Sequence, residues 1–161
     1  GVGDRKQLWA YNQIMGEPAE EESSNWYMKW GIEHEQSARE QYEIETGCVV
    51  WPTGFWIHDY EPWLGASPDG LIGDDGLFEA KCPQQIPEEM PEEHRIQCRV
   101  QMACTNRSWC DYFIWTQEGN KLFPRIERDL DIERDLLWVL SDWHKKYILT
   151  KTPPPRRRTA S

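Results

Sequence analysis

The sequence predicts an α/β fold in which a mixed central β-sheet is flanked by helices. Two patterns support this class. Short apolar runs bounded by turn residues indicate strands, and longer segments whose apolar residues recur every three to four positions indicate helices. The two kinds of segment are interleaved along the chain. The chain has 161 residues, enough for one domain with a buried core. We therefore expect a single domain over residues 1–150 and a disordered, basic tail rich in proline and arginine over residues 151–161.

Two helices are predicted in the first third of the chain. The first covers residues 4–16 and has apolar side chains at helical spacing, and an acidic loop follows at residues 17–24. The second covers residues 25–46 and is ended by Gly47. Its apolar face carries the acid Glu35. That acid is either a buried carboxylate paired with an arginine or a metal ligand, and the two interpretations stay open on spacing alone.

The remaining elements follow from turn signals and periodicity. In chain order we expect strand-like segments at 48–59 and 63–66, a hairpin at 67–83, a loop at 84–91, a helix at 92–105, a strand pair at 109–116 and 122–126, and a final helix at 130–149. The loop at 84–91 is acidic, contains proline and is long enough to form a mobile flap.

The predicted hairpin carries the strongest functional signal. It reads S-P-D-G-L-I-G-D-D-G-L-F-E-A-K-C-P over residues 67–83. A tight turn centred on Asp74 places Asp69 opposite Glu79, although like charges directly opposed destabilise a sheet. A hard cation such as Mg²⁺ or Mn²⁺ between the two carboxylates removes that conflict. Strand alternation then puts Lys81 on the same face as Glu79.

The plain alternative is a charged surface hairpin, because acidic turns are common on proteins. Pro68 at the start of the first strand and the apolar opposite face of Phe78 and Ala80 favour a buried hairpin instead. A lysine beside a metal held by carboxylates can orient or deprotonate water, or stabilise charge on a phosphate. The residues therefore predict metal-dependent hydrolysis of a phosphodiester.

The charge distribution bears on whether the substrate is DNA. The net charge of −10 argues against a phosphate-rich partner if the charge is spread evenly. Acidic residues crowd segments 17–22 and 88–93, however, whereas Arg95 and Arg99 lie on one predicted helix and three arginines lie at 156–158. An acidic exterior with a cationic channel would be compatible with DNA, whereas a uniformly acidic surface would not, and Arg95 and Arg99 are the candidate substrate-binding residues.

Several other classes of protein are disfavoured. No apolar run is long enough to span a membrane and no secretory signal pattern opens the chain, so we expect an intracellular protein without a membrane partner. The five cysteines show no disulfide framework, which is typical of a reducing compartment. Their spacing does not suit a zinc or iron–sulfur site, and no nucleotide-cofactor or serine-hydrolase motif is present.

Three linked segments resemble the phage-lambda-type alkaline exonuclease family. They are the hairpin, the upstream G-I-E-H-E-Q-S-A-R-E-Q-Y-E and the downstream V-Q-M-A-C-T-N-R-S-W-C-D, and the resemblance covers about residues 25–130. It implies a restriction-endonuclease-like PD-(D/E)xK core and Mg²⁺-dependent digestion of one strand of linear duplex DNA from 5′ to 3′. The single-stranded 3′ overhangs would then enter recombination or repair. A homotrimer and a single-strand-annealing partner are implied as well.

The resemblance also implies roles for individual residues. It makes Asp69 and Glu79 metal ligands together with the Ala80 carbonyl, places Glu35 near a second metal position, and makes Lys81 the catalytic lysine. In the same way Gln101 would help to orient the attacking water, and Ser67 would lie where a substrate phosphate passes.

One departure from the family leaves alternatives open. Family members usually begin with a further segment that helps to bind the 5′-phosphate, and this chain is expected to start after it. The protein is therefore an exonuclease, an endonuclease or nuclease subunit of a repair or defence complex, or a non-catalytic DNA-binding protein. Against the last, Asp69, Glu79 and Lys81 are all present. Cleavage of a covalently closed circle separates the first two.

Overall fold

The structure is a computed structural model that describes residues 4–15 and 21–155. The chain divides into two compact units, one made of Gly1–Trp26 and Arg134–Ser161 and the other of Tyr27–Glu133. Within the described residues the elements in chain order are α1 (Asp4–Met15), α2 (Glu21–Thr46), β1 (Val50–Trp51), β2 (Trp56–Ile57), β3 (Gly65–Ala66), β4 (Gly70–Ile72), β5 (Gly76–Lys81), α3 (Glu92–Thr105), β6 (Trp109–Thr116), β7 (Gly119–Leu122), β8 (Ile126–Glu127), α4 (Leu130–Trp143) and a π-helical segment (His144–Ile148).

The unit Tyr27–Glu133 is built on a mixed sheet, which confirms the predicted fold class. Its strand order is β1-β4-β5-β6-β7, and β8 pairs with the first residues of β6. Strands β5 and β6 are parallel, and the other pairs in the sheet are antiparallel. A parallel pair needs a crossover connection, which α3 provides. Strands β2 and β3 form a separate antiparallel pair.

Each face of the sheet has its own apolar cluster. The cluster that includes residues of α3 consists of Leu77, Cys98, Met102, Cys110, Tyr112, Ile114, Phe123 and Ile126. The cluster that includes residues of α2 consists of Ala38, Tyr42, Val50, Ile72, Phe78 and Phe113. Because successive side chains of β5 point to opposite faces, Phe78 belongs to the α2 face and Glu79 to the α3 face. The predicted burial of Phe78 is confirmed.

Helix α2 is longer than predicted. It begins at Glu21, so the expectation of a loop up to residue 24 is wrong, and residues 17–20 lie outside the described part. Glutamate has a high helix propensity and no proline or glycine occurs from residue 21 to residue 30, so the helical sequence extends to Glu21. The end of the helix is as predicted, since Gly47 follows it with a φ of +72°.

The strand predicted at residues 122–126 is wrong in its bounds. The structure has β7 at Gly119–Leu122 and β8 at Ile126–Glu127. The Thr116 hydroxyl accepts hydrogen bonds from the backbone N–H groups of Glu118 and Gly119, which tightens the turn to two residues. Pro124 lies between the strands, and proline cannot donate to a ladder.

The unit that contains both chain ends is helical where it is described. Helix α1 is confirmed to Met15, with Tyr11 buried, but Ile14 and Met15 are exposed, unlike the rest of the predicted apolar face. The final helix is confirmed as α4, and the π-helical segment His144–Ile148 continues it. Residues 156–161 of the predicted tail lie outside the described residues.

Two negative predictions can be compared with the structure. None of the helices in the described residues is long and apolar enough to cross a membrane. All five cysteines carry free thiols.

Candidate active site

The hairpin of β4 and β5 has the predicted register. Gly70 pairs with Phe78 and Ile72 with Gly76, so Asp69, just before β4, comes to lie beside Glu79. An Asp69 carboxylate oxygen, Oδ2, accepts a hydrogen bond of 2.9 Å from the Ala80 backbone N–H. The turn that the sequence indicates thus places the two acids together.

Glu79 is fixed by two other side chains. Its residue is only 1% exposed. Gln101 Nε2 donates to Glu79 Oε2 at 2.9 Å, and Lys81 Nζ lies 3.1 Å from Glu79 Oε1. The predicted placement of Lys81 on the face of Glu79 is confirmed. A carboxylate whose two oxygens are both held in this way has a defined orientation.

The pKa of Asp69 is raised by its surroundings. Burial, followed by the nearby Glu79 carboxylate, raises the pKa of Asp69 to about 7. The Ala80 N–H and the Lys81 ammonium act in the opposite direction, and a hydrogen bond between the side chains of Asp69 and Glu79 favours the protonated form. Burial and the second carboxylate therefore favour the protonated form of Asp69.

An open cavity of about 310 Å³ gives access to this pair. Its walls include Glu35 from α2, Gln97 from α3, and Asp69, Glu79 and Lys81 from the hairpin. Glu35 is an exposed residue on the rim. Partial burial, followed by the Asp69 carboxylate, still raises the pKa of Glu35, while Arg39 lowers it. The cavity thus collects three acids and one lysine.

The donor set of this cavity fits a hard divalent cation. Within residues 4–15 and 21–155, no three side chains of histidine, cysteine, aspartate or glutamate are grouped so as to hold a metal by themselves. Mg²⁺ needs only one or two carboxylates and completes its shell with water and substrate phosphate. Burial and the Glu79 carboxylate raise the pKa of Asp69, and a bound cation would favour the deprotonated carboxylate and so offset both effects. The Ala80 carbonyl is adjacent in sequence to Glu79.

The two glutamines of α3 differ in their relation to the cavity. Gln97 lines it, whereas Gln101 is buried behind Glu79 and is not among the cavity walls. Gln101 Oε1 is buried without a hydrogen-bond partner among the described residues. The sequence placed these residues four apart on one helix face, and the structure shows that Gln97 is the member nearer to the opening.

The predicted substrate-binding residues lie outside the cavity walls. Ser67 is exposed, two positions before Asp69. Arg95 Nε lies 3.9 Å from Glu92 Oε2, and Arg99 Nη1 donates to the Glu127 carbonyl at 3.5 Å. The structure does not bring the two arginines together with the acidic pair.

Arg107, the third arginine of this region, has a structural position. It donates to the carbonyls of Gly73 and Gly76 at 2.9 and 3.0 Å and so holds the turn of the hairpin. Gly73 has a φ of +53°, the left-handed conformation that glycine tolerates best. Arg107 therefore supports the geometry of the site from outside it.

Aromatic contacts fix α2 beside the cavity. Trp30 Nε1 donates to the Cys82 carbonyl at 3.0 Å. The His34 ring lies between Trp30 and Trp115, with ring centroids 4.1 and 4.9 Å away. His34 directly precedes Glu35, so these contacts locate the rim acid relative to β5 and β6.

His94 is a residue that the motifs did not single out. Its Nδ1 lies 2.6 Å from the Tyr112 hydroxyl. Burial is the main cause of a lowered pKa of His94, and the nearby Lys81 ammonium is the second cause. The available signal was its spacing, three positions before Gln97 on α3.

Comparisons with known proteins identify the family of this chain. The model of a family described as the YqaJ-like viral recombinase domain matches residues 5–108. No curated protein matches the chain. The chain is similar to the crystal structure of an alkaline exonuclease, LHK-Exo, from Laribacter hongkongensis, with 32% identity and a TM-score of 0.70 over 94% of this chain and 84% of that one.

Two further solved structures are similar. LHK-Exo in complex with dAMP has 32% identity and a TM-score of 0.68, with 91% of this chain and 83% of that chain covered. A phage-related exonuclease from Haemophilus somnus 129PT has 13% identity and a TM-score of 0.61 over 90% of this chain and 81% of that one, a level that shows the shared fold alone.

Proposed function

This chain belongs to the YqaJ-like viral recombinase domain family, and from that premise we propose that it is a Mg²⁺-dependent exonuclease acting on one strand of linear duplex DNA. One observation carries the proposal. The Asp69 and Glu79 carboxyl groups lie side by side on the wall of an open cavity, with the Lys81 ammonium 3.1 Å from Glu79. We also propose digestion from 5′ to 3′, which leaves 3′ overhangs for recombination or repair.

The residues that would hold the metal follow from the cavity. Asp69, Glu79 and the Ala80 carbonyl would bind Mg²⁺, Mn²⁺ would fit the same oxygen ligands, and Glu35 would serve a second position. When bound, such a cation lowers the pKa of water and neutralises charge on a phosphate. This role accounts for two adjacent acids, one of them almost fully buried, which a protein without the cation holds only at an energetic cost.

The other cavity residues have complementary roles. Lys81 reaches the cavity wall, where its ammonium stabilises negative charge that develops on the attacked phosphate. Gln97 lines the same cavity, and an amide there would be able to orient the attacking water. Gln101 keeps Glu79 in place through its amide hydrogen bond. We thus assign the water-orienting role to Gln97 and a positioning role to Gln101.

The proposed substrate and partners are supported by a similar structure and by residues outside the cavity. The complex of LHK-Exo with dAMP supports a deoxynucleotide monophosphate as product. Exposed Ser67 and half-buried Arg95 and Arg99 would contact the DNA backbone away from the cavity. A homotrimer that surrounds the duplex, a single-strand-annealing partner and an intracellular location complete the proposal.

The decisive substrates are a linear duplex and a covalently closed circle. Linear DNA labelled at its 5′ or 3′ end, with and without a 5′-phosphate, is incubated in Mg²⁺ or in EDTA beside the circle. We expect release of the 5′-labelled nucleotide first, only in Mg²⁺, with the circle intact. Cleavage of the circle would assign an endonuclease, and no cleavage of either substrate would assign a DNA-binding protein.

A matched variant separates this chemistry from general hairpin effects. Asp74 lies in the exposed turn of the same hairpin and is not a wall of the cavity. Asp74→Asn should therefore cleave linear DNA at the wild-type rate, while the charge change is the same as in Asp69→Asn.

A further inference from the structure

One face of α3 carries a histidine for which the proposed chemistry has no role. His94, Gln97 and Gln101 are spaced three and four positions apart, so they share a helix face. Gln97 lines the cavity and Gln101 binds Glu79, which shows that this face is turned toward β5. His94 is the first member of the row, and its ring is half-buried.

The hydrogen bond between His94 and Tyr112 fixes the state of the imidazole. Tyr112 is buried and pairs with Glu79 in the β5–β6 ladder. The Tyr112 hydroxyl has no other hydrogen-bond partner among the described residues, so its hydrogen is paired only if it donates to His94 Nδ1, 2.6 Å away. A neutral imidazole that accepts at Nδ1 carries its own hydrogen on Nε2.

The second ring nitrogen is directed away from the protein interior. Nδ1 and Nε2 lie on different edges of the ring, so Nε2 faces away from buried Tyr112 and toward the exposed side of His94. In the part of the chain that the structure describes, Nε2 has no hydrogen-bond partner. The result is an oriented N–H donor beside the catalytic cavity.

We propose that His94 binds the DNA strand by donating from Nε2–H to a phosphate oxygen next to the phosphodiester that is hydrolysed. This inference rests on the proposed nuclease function. The Lys81 ammonium lies near enough to lower the pKa of His94, so a second cation at this position would be repelled by Lys81. A neutral donor binds a phosphate without that repulsion.

Three substitutions distinguish a substrate contact from a structural role. The amide nitrogen of asparagine reaches the position of Nδ1, and that of glutamine reaches the position of Nε2. We expect His94→Ala and His94→Asn to weaken binding of a duplex oligonucleotide in EDTA, and to raise KM in Mg²⁺, by about tenfold, typical of a lost hydrogen bond to a charged group. His94→Gln should restore both values to within about twofold, and kcat should change less than KM.

The salt dependence of binding tests the neutrality of the donor. A neutral contact leaves the slope of log Kd against log salt unchanged in His94→Ala, whereas loss of a cation lowers it by about 0.9. Thermal unfolding of each variant checks that it is folded. The proposal is overturned if asparagine rescues and glutamine does not, if the slope falls, or if alanine behaves as the wild type does.

The same series separates this inference from the nuclease proposal. If the wild type cleaves DNA and the His94 variants bind and cleave as it does, the contact alone is wrong. If the wild type releases no nucleotide yet the binding series behaves as expected, the nuclease function fails and the contact stands.

Discussion

Two buried acidic sites lie on opposite faces of the same sheet and have opposite surroundings. Asp111 accepts two hydrogen bonds from the Arg125 guanidinium, at 2.8 and 3.1 Å, and one from the Tyr42 hydroxyl at 2.6 Å. Glu79, one strand away, has a second acid beside it, Asp69, and is contacted by Lys81 and Gln101. Asp111 and Glu79 are both almost fully buried.

The difference shows how a structural acid can be told from a catalytic one. The charge of Asp111 is offset by a paired guanidinium, which itself stacks 3.5 Å from the Trp109 ring. The Asp69–Glu79 pair instead keeps two like charges together, with the pKa of Asp69 raised to about 7. Such a conflict is typical of a site that is completed by a ligand.

The largest expected effect is on catalysis. Lys81→Ala and Asp69→Ala each remove a group that acts on the reacting phosphate or its metal, so cleavage of linear DNA should fall by about 10³-fold or more. Nucleotide release measures the effect, and circular dichroism checks that both variants are folded. Asp111→Asn, if it folds, should retain a far higher rate. Near-wild-type turnover in Lys81→Ala would contradict the assignment.

The next effect is on stability at the structural acid. Arg125→Ala leaves Asp111 buried without its cation, and we expect a loss of about 2–4 kcal/mol in the free energy of unfolding, reduced from the fully buried case because Arg125 is 42% exposed. Urea unfolding measures it. Arg134→Ala, at a residue whose side chain is 72% exposed, serves as control and should stay within about 0.5 kcal/mol. If Arg125→Ala loses less free energy of unfolding than the control does, the structural role assigned to the Asp111 site is wrong.

A smaller effect concerns the residue behind Glu79. Gln101→Leu removes the donor to Glu79 Oε2, so the Mg²⁺ concentration for half-maximal cleavage should rise by about 10–100-fold. Gln36→Leu on the exposed face of α2 removes an amide with no relation to the cavity and should leave that concentration unchanged. An unaltered Mg²⁺ requirement in Gln101→Leu would show that Gln101 does not position Glu79.

The smallest effect is on the free energy of unfolding, which should change in opposite directions when the acid at each site is replaced by asparagine. Asp69→Asn relieves the repulsion from Glu79 and should raise stability in EDTA by about 1 kcal/mol. Asp111→Asn weakens the pair with Arg125 and should lower it. Thermal unfolding with EDTA or Mg²⁺ provides the measurement. Added Mg²⁺ should stabilise the wild type more than Asp69→Asn, and destabilisation by Asp69→Asn in EDTA would contradict this interpretation.

The hairpin was predictable because its determinants are local. A tight turn sets the pairing of the strands, and strand alternation then decides the face of each side chain. The positions of Asp69, Glu79 and Lys81 follow from those two rules alone, and the structure bears out the register. The bounds of α3 follow in the same way from its periodicity.

Features that depend on how elements meet were not predictable. Gln97 and Gln101 share a helix face, so only the placement of α3 along β5 decides which glutamine reaches the cavity. The bond from Tyr112 to His94 joins a strand to the crossover helix before it. The Asp111 site likewise joins three separate elements, and no periodicity signals such contacts.

Anomalous scattering from Mn²⁺ in crystals of the protein would show directly whether the Asp69–Glu79 pair binds a divalent cation. A peak is expected within ligand distance of carboxylate oxygens of Asp69 and Glu79 and of the Ala80 carbonyl. No peak is expected beside Asp111, whose oxygens already bind Arg125 and Tyr42. The absence of a peak at the Asp69–Glu79 pair at saturating Mn²⁺ would contradict the proposed metal site.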